Sequence, residues 1–386
     1  MKTAVIVDCV RTPIGRAHPE KGCFRDVRSD DLAAACVRAI LTRTGIDPAE
    51  IEDVVFGNTQ QTGEQGFNVA RTIGILAGLP FAAGGATVNR LCGSSLQALH
   101  QAVHAIMAGG EDVHIVGGLE HMHHLPMDHG LNWNPKMFDR TSKAAWHMGV
   151  TAEFLAQSQG IARRDQDEFA IRSHQRAAAA HAAGEFTNEI VPVYGRDEAG
   201  HRTLVMTDQC VRPDASLESL AALEPAFMPK LGTVTAGNSS PLNDGAAALL
   251  VMSDEKAKSL GLKPLARVVA TAVAGVEPAV MGTGPVPATK KALARAGLKL
   301  ADIDLIELNE AFAAQALACI RMLRMDVNRI NVRGGAIAIG HPLGASGARI
   351  ATTLIHALRD RKLKLGLATM CIGMGQGIAT IFERIP

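Results

Sequence analysis

The sequence predicts an α/β protein built as two similar halves with a largely helical lobe inserted between them, and three observations lead there. First, helical and strand-like patterns alternate: residues 31–42 carry apolar side chains at a helical period, and residues 51–56 form a β-like run. Second, the chain aligns with itself. Gly45-Ile46, Ile51, Val54 and Phe56 match Gly297-Leu298, Ile303, Ile306 and Leu308 at an offset of 252, and the same offset pairs Leu91 with Leu343 and Ser94 with Ser346. A constant offset over distant patches is the mark of a duplicated unit. Third, residues 119–243 are richer in His, Met, Asn, Pro and charge, and their periodicity is less regular.

Taken in order, Ala4-Val5-Ile6-Val7 reads as a first strand. Cys92-Gly93-Ser94-Ser95 opens a helix whose Leu96, Leu99, Val103 and Ile106 share one face before Gly109-Gly110 ends it. The alanine-rich residues 172–183 of the central lobe read as an ordinary surface helix. In the second copy, Gly344-Ala345-Ser346-Gly347 opens a helix with Ile350, Leu354 and Leu358, and Ile378-Ala379-Thr380-Ile381-Phe382 reads as strand. These patterns divide the chain into a first half at residues 1–118 completed by about 244–264, an inserted domain at 119–243, and a second half at 265–386.

Lysine plus arginine (39) nearly balances aspartate plus glutamate (38), which argues against nucleic acid or an anionic membrane as partner and favours a small-molecule substrate. Seven scattered cysteines without a CxxC pair argue against a disulfide framework or zinc knuckle and imply a reducing cytoplasm. No segment approaches the roughly 20 apolar residues of a membrane span. Neither end reads as a signal peptide or an organelle address.

The chemistry gathers in four segments. Val88-Asn89-Arg90-Leu91-Cys92-Gly93-Ser94-Ser95 sets Cys92 at a helix start, where unpaired N–H groups favour a thiolate. Taken alone, it reads as well as an inert buried cysteine. His341 lies in a glycine-framed loop running through Gly340-His341-Pro342, able to take a proton near neutral pH or to serve as a plain turn residue. Met370-Cys371-Ile372-Gly373-Met374-Gly375-Gln376-Gly377 puts a second cysteine before alternating glycines, whose N–H groups could converge on an oxyanion. The spacing is not the GxGxxG of a dinucleotide site. Asn309, in Leu308-Asn309-Glu310-Ala311-Phe312, either caps a helix or orients a water or substrate carbonyl. The cluster of His121, His123, His124 and His129 lacks a helical ligand pair with a supporting acid, so no metal is assigned.

Together these segments resemble the thiolase family over essentially the whole chain. All three signature regions are present, around Cys92, through Gly340-His341-Pro342 and around Cys371, with Asn309-Glu310-Ala311-Phe312 as a fourth landmark. Glu64-Gln65-Gly66-Phe67-Asn68-Val69-Ala70-Arg71 and Arg90-Leu91-Cys92-Gly93-Ser94-Ser95 are closer to the beta subunits of bacterial fatty-acid oxidation complexes. The resemblance implies duplicated α/β halves layered αβαβα with an inserted loop domain. It implies Cys92 as nucleophile on 3-oxoacyl-CoA, His341 as its base, and Cys371 as the acid and base that protonates the departing acetyl-CoA enolate and then deprotonates CoA. His341 and a water on Asn309 would meet enolate charge, and the N–H groups of Cys92 and Gly373 the tetrahedral oxyanion.

CoA is implied as co-substrate, with no tightly bound cofactor, and Arg212, Ser240 and His147 as its contacts. His147 matches a CoA-contacting histidine of acetoacetyl-CoA thiolases, where the fatty-acid-complex subgroup usually has methionine; His123 stands where that subgroup usually has glycine. Both lie in the substrate lobe and leave acyl chain length open. The family also implies a homodimer or tetramer, with a multifunctional hydratase/dehydrogenase subunit as a further partner. The rival activity is condensation by an acetoacetyl-CoA thiolase.

Overall fold

A computed structural model describes residues 2–386. The first half runs β1 (Ala4–Arg11), β2 (Gly15–Arg16), α1 (Ser29–Thr44), β3 (Asp53–Gly57), α2 (Val69–Leu76), β4 (Ala86–Val88), α3 (Ser94–Ala108) and β5 (Val113–His121). Next come α4 (Met148–Ser158), α5 (Arg163–Ala182), a hairpin of β6 (Val193–Arg196) and β7 (Arg202–Val205), and α6 (Leu217–Ala221). β8 (Asn243–Ser253) returns to the strands of the first half, followed by α7 (Asp254–Ser259). The second half holds β9 (Ala266–Gly275), α8 (Pro285–Ala296), β10 (Leu305–Leu308), α9 (Ala313–Leu323), α10 (Ala336–Ile339), α11 (Ser346–Asp360), β11 (Leu365–Ile372) and β12 (Gln376–Arg384).

The strands order as β4-β3-β5-β8-β1 in one half and β9-β12-β11-β10 in the other. Each half pairs β3 with β5, or β10 with β11, in parallel, and its remaining neighbours along that path are antiparallel except β3 with β4. Where the first half has β4, the second has a parallel bridge from Ile306 to Ile330. The two halves join edge to edge through β1 and β9, where among the described residues Val5 meets Arg267 and Ile6 meets Ala266, so the strands form one continuous sheet. The duplication read from the sequence is therefore structural: α3 and α11 stand 252 positions apart at both ends, and β3 with β10 and β5 with β11 begin at the same offset.

Burial explains the layering. Leu96, Leu99, Val103 and Ile106 of α3 and Ile350, Leu354 and Leu358 of α11 fill one core between the two halves of the sheet. α1 covers the outer face of the first half, burying Leu32, Val37 and Ile40, while α8 and α9 cover the second with Val286, Ala292, Leu293 and Ile320. This gives five layers, αβαβα. A helix between two sheet layers is covered all round, and α11 is buried from Ser346 to Leu358 with Arg349, Thr352, Thr353 and His356 inside. Its start lies so close to β5 that a Cβ on Gly118 would stand 2.2 Å from the Gly344 carbonyl oxygen, so only glycine fits there.

The segment around α5 differs from the surface helix expected for residues 172–183. Phe169, Ala170, Ser173, His174, Ala177 and Ala180 are buried, and Ser173 Oγ donates to Glu310 Oε2 at 2.6 Å. Alanine there serves close packing against α10 and the Asn309 loop, a contact that local periodicity does not reveal. Among the described residues no helix is long and apolar enough to cross a membrane. All seven cysteines are free and buried.

Candidate active site

Cys92 stands two residues before α3, next to its N-cap Gly93, in a turn in which Leu91 adopts φ 45°. The second half supplies the other groups. His341 sits between α10 and α11, Cys371 near the end of β11, Gly373 in the β11–β12 turn, and Asn309 directly after β10. β10 and β11 are neighbours, and Asn309 N–H donates to Thr369 O at 3.0 Å, which places Asn309 alongside the strand that carries Cys371. The helix α9 starts only at Ala313, with Phe312 as its N-cap, so Asn309 does not cap it. Its side-chain Nδ2 lies 3.4 Å from His341 Nε2, while its Oδ1 is buried without a partner. An unmet buried acceptor of this kind suits a water or a substrate group.

His341 is held from three sides. Its backbone N–H donates to Asn243 Oδ1 at 2.8 Å. Gly340 before it has φ 122°, and a Cβ there would stand 2.5 Å from Ile14 and 2.7 Å from Asn243, so the loop can follow this path only with glycine. Ser346 Oγ lies 2.6 Å from Nδ1 and donates its own proton to Pro342 O at 2.9 Å. His341 must then donate Nδ1–H to Ser346, which leaves Nε2 as the free acceptor. Burial, with the Arg349 cation adding to it, brings His341 down to about 3, so the ring is neutral and able to accept a proton.

The sulfur of Cys92 departs from expectation. A helix start favours thiolate, but burial dominates and pushes the thiol up to about 11, with the Glu120 charge adding to the rise; the N–H groups of Gly373 and of Cys92 itself pull the other way. Cys371 is pushed well above its ordinary range by burial, then by the neighbouring Cys92 and Cys319. The resting site thus holds two thiols and a neutral imidazole. The Gly373 N–H lies close enough to the Cys92 thiol to favour its ionised form, and a donor so placed suits an oxyanion forming beside that sulfur.

Ser240, half-buried, donates its N–H to Ala311 O at 3.0 Å and so lies beside the Asn309 loop. His147 is exposed at the N-cap of α4, next to Met148, which packs with Cys371 and Phe312. Arg212 is exposed on the inserted lobe, its N–H donating to His174 on α5 at 3.2 Å. In the histidine cluster, His121 and His124 stack at 3.6 Å and bond to the Phe24 and Arg25 carbonyls. Among the described residues no three His, Cys, Asp or Glu stand together as metal ligands.

Three residues with positioning roles were not singled out from sequence: Ser346, Asn243 and Glu120. Ser346 had a signal, since it is the repeat partner of Ser94, and both serines return a hydrogen bond to a carbonyl of the preceding turn. Asn243 and Glu120 act across long sequence separations and leave no local trace.

The thiolase N-terminal domain family matches residues 4–255, and the thiolase C-terminal domain family matches residues 262–384. The 3-ketoacyl-CoA thiolase of Shewanella frigidimarina (strain NCIMB 400) is 58% identical over 389 residues, with 100% of both chains covered. That of Aeromonas salmonicida (strain A449) is 56% identical with the same coverage. The crystal structure of the Bacillus anthracis acetyl-CoA acetyltransferase matches with a TM-score of 0.90 at 39% identity, covering 100% of this chain and 99% of that one.

Proposed function

The chain belongs to the thiolase family, and on that premise we propose that Cys92, His341, Cys371, Asn309 and Gly373 carry out CoA-dependent thiolytic cleavage of 3-oxoacyl-CoA. The products are acetyl-CoA and an acyl-CoA shortened by two carbons, the thiolytic step of fatty-acid β-oxidation. One observation carries the reading: Cys92 of the first half lies beside Cys371 and the Gly373 N–H of the second, whose Asn309 stands 3.4 Å from His341 Nε2.

The steps follow from that geometry. His341 Nε2 takes the Cys92 proton as sulfur attacks the 3-keto carbon, and the oxyanion is met by the N–H groups of Cys92 and Gly373. The C2–C3 bond breaks, leaving the acyl group on Cys92 and enolate charge on the acetyl-CoA thioester oxygen. The new Nε2–H of His341, with a water on Asn309, stabilises that charge. Cys371 gives its proton to the enolate carbon, then takes the proton of an incoming CoA thiol, whose sulfur attacks the acyl carbon; the C–S bond to Cys92 breaks and His341 returns its proton to the leaving sulfur. Burial of both thiols suits this cycle, because neither is lost as a thiolate before substrate excludes water.

Ser240 and His147 flank the catalytic residues and are assigned to CoA, as is Arg212 on the inserted domain at 119–243. CoA is a co-substrate and no cofactor is held tightly. The family and the unpaired cysteines support a cytoplasmic homodimer or tetramer, supplied with 3-oxoacyl-CoA by a hydratase/dehydrogenase subunit. Condensation to acetoacetyl-CoA is the second reading, favoured by His147 and by the likeness to the Bacillus anthracis enzyme. A chain-length series of 3-oxoacyl-CoA thiolysis separates the two. Intact-mass measurement should find the acyl adduct on Cys92, and thiolysis surviving in Cys92→Ser would end the proposal.

A further inference from the structure

Arg90, two residues before Cys92, takes no part in the steps above, yet it joins the two halves at the nucleophile. Its backbone N–H donates to Ser94 Oγ at 2.9 Å, and Ser94 donates to Leu91 O at 2.6 Å. These bonds hold Leu91 at φ 45°, a conformation sparsely populated for a residue with a Cβ. The guanidinium reaches in two directions. Nε donates to Gln97 Oε1 on the first turn of α3 at 2.8 Å, and Nη1 donates to Gln376 Oε1 at 3.0 Å, across 286 positions of sequence.

Gln376 closes the turn that carries Gly373, pairing with Ile372 across it. Its backbone is fixed from behind by the start of α8, where a Cβ on Gly284 would stand 2.0 Å from the Gln376 carbonyl oxygen. In front, the nucleophile turn presses on the same turn: a Cβ on Gly93 would stand 2.4 Å from Ile372 Cδ1, and one on Gly373 would stand 3.2 Å from Leu91 Cδ1. We propose that Arg90 and Gln376 are positioning residues, a clip that presses the Cys92 turn of one half against the Gly373 turn of the other and so sets the oxyanion geometry for acyl transfer. The inference rests on Cys92 being the nucleophile. A planar guanidinium spans two carbonyl acceptors held in fixed directions; a lysine ammonium offers no such fork.

The test uses the full chain and the variants Arg90→Met, Gln376→Leu, Gln376→Glu and the Arg90→Met/Gln376→Leu double. Two measurements are made: steady-state thiolysis of acetoacetyl-CoA, and alkylation of Cys92 by iodoacetamide followed by peptide mass. Loss of the clip should lower kcat about 10- to 100-fold, as a displacement near 1 Å at a reacting centre does, with KM little changed. Cys92 alkylation should slow, because the Gly373 N–H no longer supports the thiolate. Gln376→Glu should recover most of kcat through a charge-assisted bond to Arg90, and the double variant should be no worse than the poorer single. Wild-type alkylation of Cys92 in Gln376→Leu, or independent losses that multiply in the double, would overturn the clip. Should Arg90→Met not fold, Gln376→Leu removes only the far acceptor and decides the question. A wild-type chain inactive on every 3-oxoacyl-CoA would count against the family chemistry, while the alkylation rates still judge the clip.

Discussion

Replacing Ser346 with alanine tests the proposed role of His341 as a base. The serine accepts Nδ1–H at 2.6 Å and passes its own proton to Pro342 O at 2.9 Å, a relay that fixes the bare nitrogen as Nε2. Ser346 is 0% exposed and His341 4%, so no solvent stands by to replace the lost oxygen. The bond becomes charge-assisted once His341 carries the Cys92 proton, so its loss costs the imidazolium-like transition state about 1–3 kcal/mol more than it costs the resting ring. At about 1.4 kcal/mol per factor of ten, kcat/KM for thiolysis should fall roughly 5- to 150-fold. A second effect acts in the same direction, because the released ring can carry its proton on Nε2 and present no acceptor to Cys92. Steady-state thiolysis of acetoacetyl-CoA measures the loss, and a thermal unfolding midpoint checks that the fold persists. A folded Ser346→Ala enzyme within about twofold of the parent kcat/KM would refute both the tautomer and the relay.

Two further outcomes follow from burial. The rate of Cys92 alkylation should climb with pH towards about 11, since the free enzyme holds a thiol; a plateau near neutrality would mean a preformed thiolate. His100, fully enclosed with its Nε2 2.8 Å from Thr380 Oγ1, is held down to about 3 by burial against an ordinary 6.5. The folded state then binds fewer protons than the unfolded chain in that window, so the stability it allows is complete above 6.5 and declines as pH falls towards 3. Urea unfolding should show His100→Gln gaining about 2 kcal/mol relative to the parent between pH 7.5 and pH 5, and a difference that ignores pH would reject the assignment.

Much of this was legible in the sequence because it is local or repeated. The offset of 252 located α3 against α11 to the residue, and the apolar faces of both helices were spelled out by Leu96, Leu99 and Val103 and by Ile350, Leu354 and Leu358. Cys92 at a helix start, His341 between glycines and Cys371 before a glycine turn were visible as segments. What the sequence did not disclose was their surroundings. The charge state of Cys92 depends on how completely two halves enclose it, and enclosure outweighed the helix start that local reasoning emphasised. Residues 172–183 looked solvated because their partners, Glu310 and the α10 turn, lie far along the chain. Asn309 could be read as a cap until the helix was seen to begin at Ala313.

The matching starts of α3 and α11 mean that the fold repeats the scaffold of the centre a second time, 252 positions along the chain. At the repeat offset the counterpart of Cys92 is Gly344, and that of Cys371 is Leu119, so the twin has neither nucleophile nor proton donor. At that position the Glu120 carboxylate accepts from Gly344 N–H at 2.9 Å, from Thr59 N–H and Oγ1, from Gln60 N–H, and from the side chains of Asn58 and Gln65. An internal carboxylate thus takes the Gly344 N–H, the repeat counterpart of the Cys92 N–H that the proposed mechanism gives to a transient oxyanion. One copy of the scaffold therefore carries a permanent, buried anion of its own where the other is left to receive one from its substrate.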